Sequence, residues 1–241
     1  MNAILPDTTN DSVFCSLCKA GGIASLVFII YSLITMVVLT VFGGQPSTAL
    51  EAFSILQTNR ILGLLRMDLL TVIFIPLYYL IFLGIFLALN GKKNAWAIIA
   101  LVAVFVGVTL FLATPSALSM MNLSDKYATA TSENQQSQLI AAGEAILASD
   151  MWHGTGAITG GILIQFGALI ISILMLPGNV FNKFTAYVGI ITHGLDLAHL
   201  FFLFVVPTVG VILLAIAGTL YLLWFPLIGV RLIQIGRGAS I

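Results

Sequence analysis

Two histidines and a carboxylate recur at intervals of three residues, as His193, Asp196 and His199. Imidazole and carboxylate groups can take up protons, bind metals or hold polar solutes. They lie inside an apolar stretch of the length that crosses a bilayer, about twenty residues. A titratable side chain at that depth must be paired, hydrated or used, so we treat this segment as a candidate site.

Helix geometry limits what these three residues can do together. An interval of three places Asp196 about 60° from each histidine around a helix, with the two histidines about 9 Å apart along its axis. One metal ion does not easily bind both imidazoles, because Zn–N distances are about 2.1 Å. Asp196 can hydrogen-bond to either histidine. The spacing therefore favours a polar ladder over a two-histidine metal site.

Four interpretations of this segment stay open. It can be a structural polar cluster, completed by Gln165 or Tyr79 from other spans, or a path for a proton, ion or small solute in which Asp196 titrates. A histidine can instead be an axial ligand of a haem or pigment. An intramembrane hydrolase would need His153 and a further span, and no serine or metal motif supports it. We assign no catalytic residue, and both metal and cofactor are unknown.

Composition places the chain in a lipid bilayer. Hydrophobic residues make up 60% and charged residues 7% of its 241 residues, with a mean hydropathy of +1.12. Soluble domains carry about 25% charged residues, so this chain could not cover a water-facing surface. The formal net charge is zero, which leaves no basic field for a nucleic-acid partner. A small-molecule or ion ligand is compatible with it, and the oligomeric state is unknown.

The apolar stretches predict an all-α, polytopic transmembrane helix bundle of about six spans. We expect one membrane domain over 22–235, between a polar N-terminal segment (1–21) and a short tail (236–241). Glycine and proline clusters separate most of the stretches. The predicted spans are 22–42, 67–89, 95–114 (closed by Pro115), 155–175, 185–206 and 211–232.

Two amphipathic helices are predicted outside the bilayer. Thr48 and Glu51 form one capping box, before a helix whose apolar residues Leu50, Phe53, Leu56, Ile61 and Leu64 share one side. Ser132 and Gln135 form another within the polar loop 116–154. Gly143 interrupts the apolar stripe of that second helix, which would let it approach another backbone closely.

The distribution of lysine and arginine predicts the orientation. Six lie on one side of the predicted spans and three on the other. The larger group is Lys19, Lys92, Lys93, Lys183, Arg231 and Arg237; the smaller is Arg60, Arg66 and Lys126. We therefore expect a multi-pass protein of the cell membrane with both termini in the cytoplasm and the 116–154 loop outside.

Two further polar residues join the candidate path. His153 follows Trp152 at the outer end of the fourth span, where it is either an interfacial anchor or an entrance group above Asp196. The second span contains Asp68 and Pro76. Its counterpart in the other half of the chain, the fifth span, contains Asp196 and is followed by Pro207. Interrupted helices at matching places of inverted halves are typical of transporter binding sites.

Cys15 and Cys18 form a C-x-x-C pair beside the first span. Such a pair can be a disulfide, a redox pair or half of a metal site. The chain contains no second pair, so a four-cysteine zinc site within it is excluded. Two small residues at a membrane interface, open to palmitoylation, are the simplest interpretation.

Several segments together have a familiar pattern. They are LSDKYATAT from Leu123, LIAAGEAIL from Leu139, MLP from Met175, Phe181 with TAYVGI from Thr185, and Trp224 through Arg231 and Leu232. In these the chain resembles a prokaryotic domain-of-unknown-function family of polytopic membrane proteins, over about 49–237. The resemblance implies the same architecture and a bacterial or archaeal membrane. It implies no activity and no site residue.

Overall fold

The computed structural model describes residues 8–114 and 117–238, which form α-helices without a β-strand. Of the described residues 83% are helical, and the all-α prediction is confirmed. Six helical segments of the described part are long and apolar enough to cross a membrane. The helices are α1 (Thr8–Val41), α2 (Ala49–Thr58), α3 (Arg60–Arg66), α4 (Leu69–Phe74), α5 (Leu77–Ala88), α6 (Ala95–Leu112), α7 (Ala117–Thr129), α8 (Glu133–Ala148), α9 (Thr155–Leu174), α10 (Lys183–Val205) and α11 (Pro207–Gly236), with a 3₁₀ turn at Gly91–Lys93.

The first span is longer than the sequence predicts. Helix α1 begins at Thr8 instead of residue 22, so most of the expected N-terminal segment continues the span, while residues 1–7 lie outside the described part. Gly21 and Gly22 lie inside this helix, and residues of neighbouring helices pack closely against both glycines. A Cβ at Gly21 would lie 2.6 Å from the Leu80 carbonyl oxygen, a close approach typical of small residues in membrane helices.

Proline residues divide the second span and begin the sixth. The predicted span 67–89 is divided into α4 and α5 at Pro76, which cannot donate the backbone hydrogen bond of a continuous helix. Pro207 was expected in a turn, but it is the first residue of α11, a position that suits its fixed φ. Helix α11 then runs to Gly236, into the predicted tail, and residues 239–241, like Pro115 and Ser116, lie outside the described part.

The first amphipathic helix differs from its prediction. It is divided into α2 and α3 at Asn59, whose backbone is extended and whose Oδ1 accepts a hydrogen bond from the Leu62 amide. The break turns Ile61 out to an exposed position, and Leu50 is exposed as well, whereas Phe53 and Leu56 are buried. The sequence-based prediction treated the segment as one continuous helix across Asn59, and it is wrong on this point.

The chain divides into two compact units, one of which consists of residues 30–76 and 107–161. Its polar loop holds two helices, α7 and α8, where one was expected. Both predicted N-caps form, with Thr48 and Ser132 accepting from the amides of Glu51 and Gln135. The close approach at Gly143 is confirmed, since a Cβ there would lie 2.6 Å from that of Ala49. The buried core is Ala49, Ala52, Phe53, Leu56, Met67, Ala117 and Met120.

The other unit contains described residues 8–29, 77–106 and 162–238. Its centre is aromatic, with Trp224, Phe225, Phe82 and Phe181 almost fully buried. Helices α10 and α11 pack against each other along their lengths. The polar side chains of α9, α10 and α11 meet within this unit, and the candidate site lies there.

Candidate functional site

The amide of Gln165 joins two of the predicted residues. From α9, its Nε2 donates to Oδ2 of Asp196 over 2.8 Å, and its Oε1 lies 2.8 Å from Nδ1 of His193. Because that oxygen is an acceptor, His193 must carry its proton on Nδ1. The Nε2 atom of a neutral His193 is then an acceptor. The sequence offered Gln165 or Tyr79 as a partner of this cluster, and Gln165 bonds to Asp196 and His193.

Tyr221 of α11 completes the cluster, and the sequence analysis did not select it. Its hydroxyl donates to Oδ2 of Asp196 over 2.6 Å and lies 2.9 Å from Oε1 of Gln165. One hydroxyl proton can serve one acceptor at a time. Tyr221 can therefore donate to an ionised Asp196, or accept from a protonated Asp196 and donate to Gln165.

Asp196 is a buried carboxyl group whose bonded partners are neutral. It is 8% exposed, and among the described residues no lysine or arginine lies within ion-pair distance of it. An uncompensated carboxylate in an apolar environment is strongly disfavoured. The arrangement therefore favours the uptake of a proton or the binding of a cation at Asp196.

The predicted ladder of His193, Asp196 and His199 does not form. In the described structure Asp196 bonds to neither histidine, and Gln165 and Tyr221 both donate to its Oδ2. His199 instead lies with Nδ1 at 3.0 Å from the carbonyl oxygen of Gly210. That hydrogen bond connects α10 to the first turn of α11. His199 therefore has a structural role beside the site.

His193 and Trp224 form a buried ring contact in which two polar atoms lack a hydrogen-bond partner. Their rings meet edge to face with centroids 4.6 Å apart. Nε2 of His193 and Nε1 of Trp224 are buried, and neither has a hydrogen-bond partner in the described part of the chain. Gly189 makes room for them, since a Cβ there would lie 2.5 Å from Trp224 Nε1 and 2.4 Å from Ser172 Oγ.

Tyr79 packs edge to face against Phe105. The hydroxyl that contacts Gln165 is that of Tyr221, and its ring stacks on Phe225. An apolar helix with a hydrophobic residue on every side shows no periodicity that would tell which tyrosine faces the site. Residue type was the one available signal, and it does not distinguish Tyr221 from Tyr79.

Asp68 and His153 belong to the unit of residues 30–76 and 107–161, where they line a cavity of about 280 Å³. Asp68 precedes the span that begins at Leu69; it is 4% exposed, and its Oδ1 accepts from the Ala117 amide over 2.7 Å. Burial raises the pKa of Asp68 from 3.8 to about 6, with a smaller contribution from Asp150. Asp150 in turn bonds to His153, Oδ1 to Nδ1, over 3.0 Å. An entrance role for His153 above Asp196 stays a prediction.

The described residues contain no group of three or more His, Cys, Asp or Glu side chains placed to hold a metal ion. Cys15 and Cys18 are free thiols on α1, and Cys18 is fully buried. In the described part, Nε2 of His193 is the one histidine nitrogen that is buried without a hydrogen-bond partner.

No protein-family model, curated protein or solved structure matches the chain. We call Gln165, His193, Asp196 and Tyr221 the Asp196 site.

Proposed function

We propose that this multi-pass membrane protein carries a proton or small solute through the membrane and that Asp196 is the group that binds the proton. The observation that carries the proposal is a buried carboxyl group with two neutral hydrogen-bond partners and no described lysine or arginine within ion-pair distance. Titratable residues inside membrane spans are costly and mark proton and substrate paths. We assign the protein no enzymatic activity.

The cluster provides hydrogen-bond partners for both protonation states of Asp196. With Asp196 ionised, Gln165 Nε2 and the Tyr221 hydroxyl both donate to the carboxylate. With Asp196 protonated, the Tyr221 hydroxyl can rotate its proton to Oε1 of Gln165, 2.9 Å away. The exchange needs no movement of a heavy atom. A group that gains and loses protons without rearranging its surroundings suits a transport cycle.

Infrared difference spectroscopy of the protein in lipid tests proton binding directly. A protonated carboxyl group has a carbonyl-stretching band that shifts in D₂O, and we expect Asp196→Asn to remove one such band. The Asn side chain can still accept from Gln165 and Tyr221, so the fold should persist. Asp68→Asn is the matched control, because Asp68 is also a buried carboxyl; its effect should fall on a different band.

Transport is measured separately in proteoliposomes that contain a pH-sensitive dye. Wild type and Glu133→Gln, which removes an exposed carboxylate of α8, should move protons or a proton-coupled solute down an imposed gradient, and Asp196→Asn should not. Unchanged flux in Asp196→Asn, with a native melting temperature, would remove Asp196 from any transport path.

A structural role for the same cluster is the second candidate. It is supported by the bond between His199 and Gly210 and by the stacking of Tyr221 on Phe225, which add contacts within the bundle without any ligand. In that case the protein is an accessory membrane subunit, and Asp196→Asn would lower the melting temperature without abolishing a transport signal.

We further propose that both termini are cytoplasmic and that the protein belongs to the prokaryotic family that it resembles. The asymmetry of lysine and arginine supports the orientation. Labelling of single cysteines from outside intact cells tests it. Substitutions at exposed positions of the loop 116–154, such as Ser137→Cys, should react with an impermeant maleimide, and Arg237→Cys should react only after permeabilisation.

A further inference from the structure

A groove of about 530 Å³ lies against the C-terminal half of α11, between that helix and the turn that follows α9. One wall is apolar and is formed by Leu223, Pro226, Leu227 and Val230. These residues recur at helical intervals, so they make one continuous stripe along α11. Leu223 is 40% and Val230 49% exposed, which places the stripe at the surface of the bundle.

The end of the groove is polar and is formed by Arg231, Gln234, Asn179 and Asn182. Asn182 Oδ1 caps α10 by accepting from the Thr185 amide, so its amide nitrogen is left as a donor. The groove thus combines an apolar strip of helix with a cluster of hydrogen-bond donors at one end. An amphiphilic molecule, with an apolar chain and a polar head group, would match both parts of the groove.

Arg231 lies at the junction of the two parts. Its Nε donates to the carbonyl oxygen of Val180 over 2.6 Å, which fixes the plane of the half-buried guanidinium. In the described structure neither of its Nη atoms has an acceptor, and no carboxylate lies within ion-pair distance. A partly desolvated guanidinium is stabilised by a bound anion, and its paired N–H groups can donate to two oxygens of a phosphate.

The surrounding charge has one sign. The segments 176–195 and 207–238 contain Lys183, Arg231 and Arg237 and no aspartate or glutamate. A negative group at the end of the groove would therefore meet attraction and no repulsion from these segments. Basic pockets between membrane helices on the cytoplasmic side are where anionic lipid headgroups bind.

We propose that this groove binds one anionic phospholipid of the surrounding bilayer. Its phosphate bonds to the Nη atoms of Arg231, its headgroup hydroxyls meet the amides of Gln234 and Asn182, and an acyl chain follows the stripe from Val230 to Leu223. A lipid is the occupant, and not a soluble anion, because half of the groove is an apolar surface on a membrane-spanning helix. The site is separate from Asp196, so either proposal can fail without the other.

Native mass spectrometry of the detergent-solubilised full chain tests the site, with phosphatidylglycerol and phosphatidylcholine added in equal amounts. The wild type should retain one phosphatidylglycerol in preference to phosphatidylcholine. Arg231→Gln should weaken phosphatidylglycerol retention at least about tenfold, because the charge-assisted hydrogen bonds to the phosphate are lost. Arg237→Gln removes the same charge from an exposed position outside the groove and should retain the lipid.

A second pair of variants keeps the test valid if Arg231→Gln fails to fold. Val230→Trp fills the groove with an apolar side chain and leaves Arg231 in place, so it should also lose phosphatidylglycerol. Val211→Trp places the same side chain at an exposed position of α11 outside the groove and should not. Melting temperatures of all four variants in lipid-free detergent show that they are folded.

Three results would overturn the proposal. Equal retention of phosphatidylcholine and phosphatidylglycerol by the wild type contradicts a site that selects anionic lipid. Undiminished phosphatidylglycerol in folded Val230→Trp or Arg231→Gln contradicts the position of the site. Displacement of the lipid by glycerol 3-phosphate at equal concentration, with full binding of glycerol 3-phosphate to Val230→Trp, would identify a site for a free anion instead.

Discussion

The carboxylate of Asp196 and the hydroxyl of Tyr221 lie 2.6 Å apart although they come from different membrane helices. Hydrogen bonds to a charged group are stronger than those between neutral groups. The contact therefore both positions α11 against α10 and supports a negative charge at Asp196. Its two effects, on stability and on proton binding, can be separated by mutation.

Tyr221→Phe should destabilise the protein. The change removes the donor to Asp196 and keeps the aromatic ring that stacks on Phe225. We expect the free energy of unfolding to fall by about 1–3 kcal/mol, the usual effect of leaving a buried polar group without its partner. Thermal melting in detergent measures it. Tyr187→Phe removes a hydroxyl from an exposed tyrosine of α10 and should melt like wild type; equal melting of both variants would contradict the prediction.

Gly189→Ala should destabilise the bundle, and Gly194→Ala should not. Both glycines lie in α10. A Cβ at Gly189 would lie within 2.5 Å of both Ser172 Oγ and Trp224 Nε1, whereas nothing lies within 4 Å of one at Gly194. Overpacking of this kind costs about 1–3 kcal/mol. If the two variants melt at the same temperature, the close contact of α10 with Trp224 is absent in the membrane.

Substitutions of His199 should affect stability but not proton binding. His199→Leu removes the bond to the Gly210 carbonyl, with an expected loss of about 1 kcal/mol. His199→Asn keeps an N–H donor near the Nδ1 position and should recover part of that loss. The infrared carboxyl band of Asp196 should be present in both. Its disappearance in His199→Leu would show that His199 belongs to the proton site.

Asp68 should make stability depend on pH below neutrality. Because its pKa is raised from 3.8 to about 6, the folded state holds this proton more tightly than the unfolded state. The contribution of Asp68 to the free energy of unfolding should be greatest below pH 4 and fall by roughly 3 kcal/mol as the pH rises through about 6.

Asp68→Asn should abolish that contribution and raise the melting temperature at neutral pH. The Asn Oδ1 can still accept from the Ala117 amide, so the hydrogen bond at the start of α7 is retained. Melting temperatures between pH 4 and 8 measure the effect. Glu133→Gln removes an exposed carboxylate of α8 and is the charge-matched control. A pH profile in Asp68→Asn that follows the wild type would refute the assignment.

Local chemistry made some features predictable. The hydroxyls of Thr48 and Ser132 cap α2 and α8 as the capping boxes indicate, because a cap depends on residues within one turn. Gly143 was expected to permit a close approach, and the contact with Ala49 confirms it. Asn59, by contrast, ends α2 with an extended backbone inside a run that otherwise suits a helix. The local signal for that break was Asn59 itself, a residue type that favours N-caps, and its side chain caps α3.

The sequence by itself determined that this is an all-α protein with six apolar segments long enough to cross a membrane, because so few charges cannot cover a water-facing surface. It also offered Gln165 or Tyr79 as a partner of the cluster. Only the tertiary structure decided that Asp196 pairs with Gln165 and Tyr221 and that His199 turns to Gly210. A helix that is apolar on every side does not encode in its own periodicity which face meets which neighbour. That choice is made by packing between segments distant in the chain.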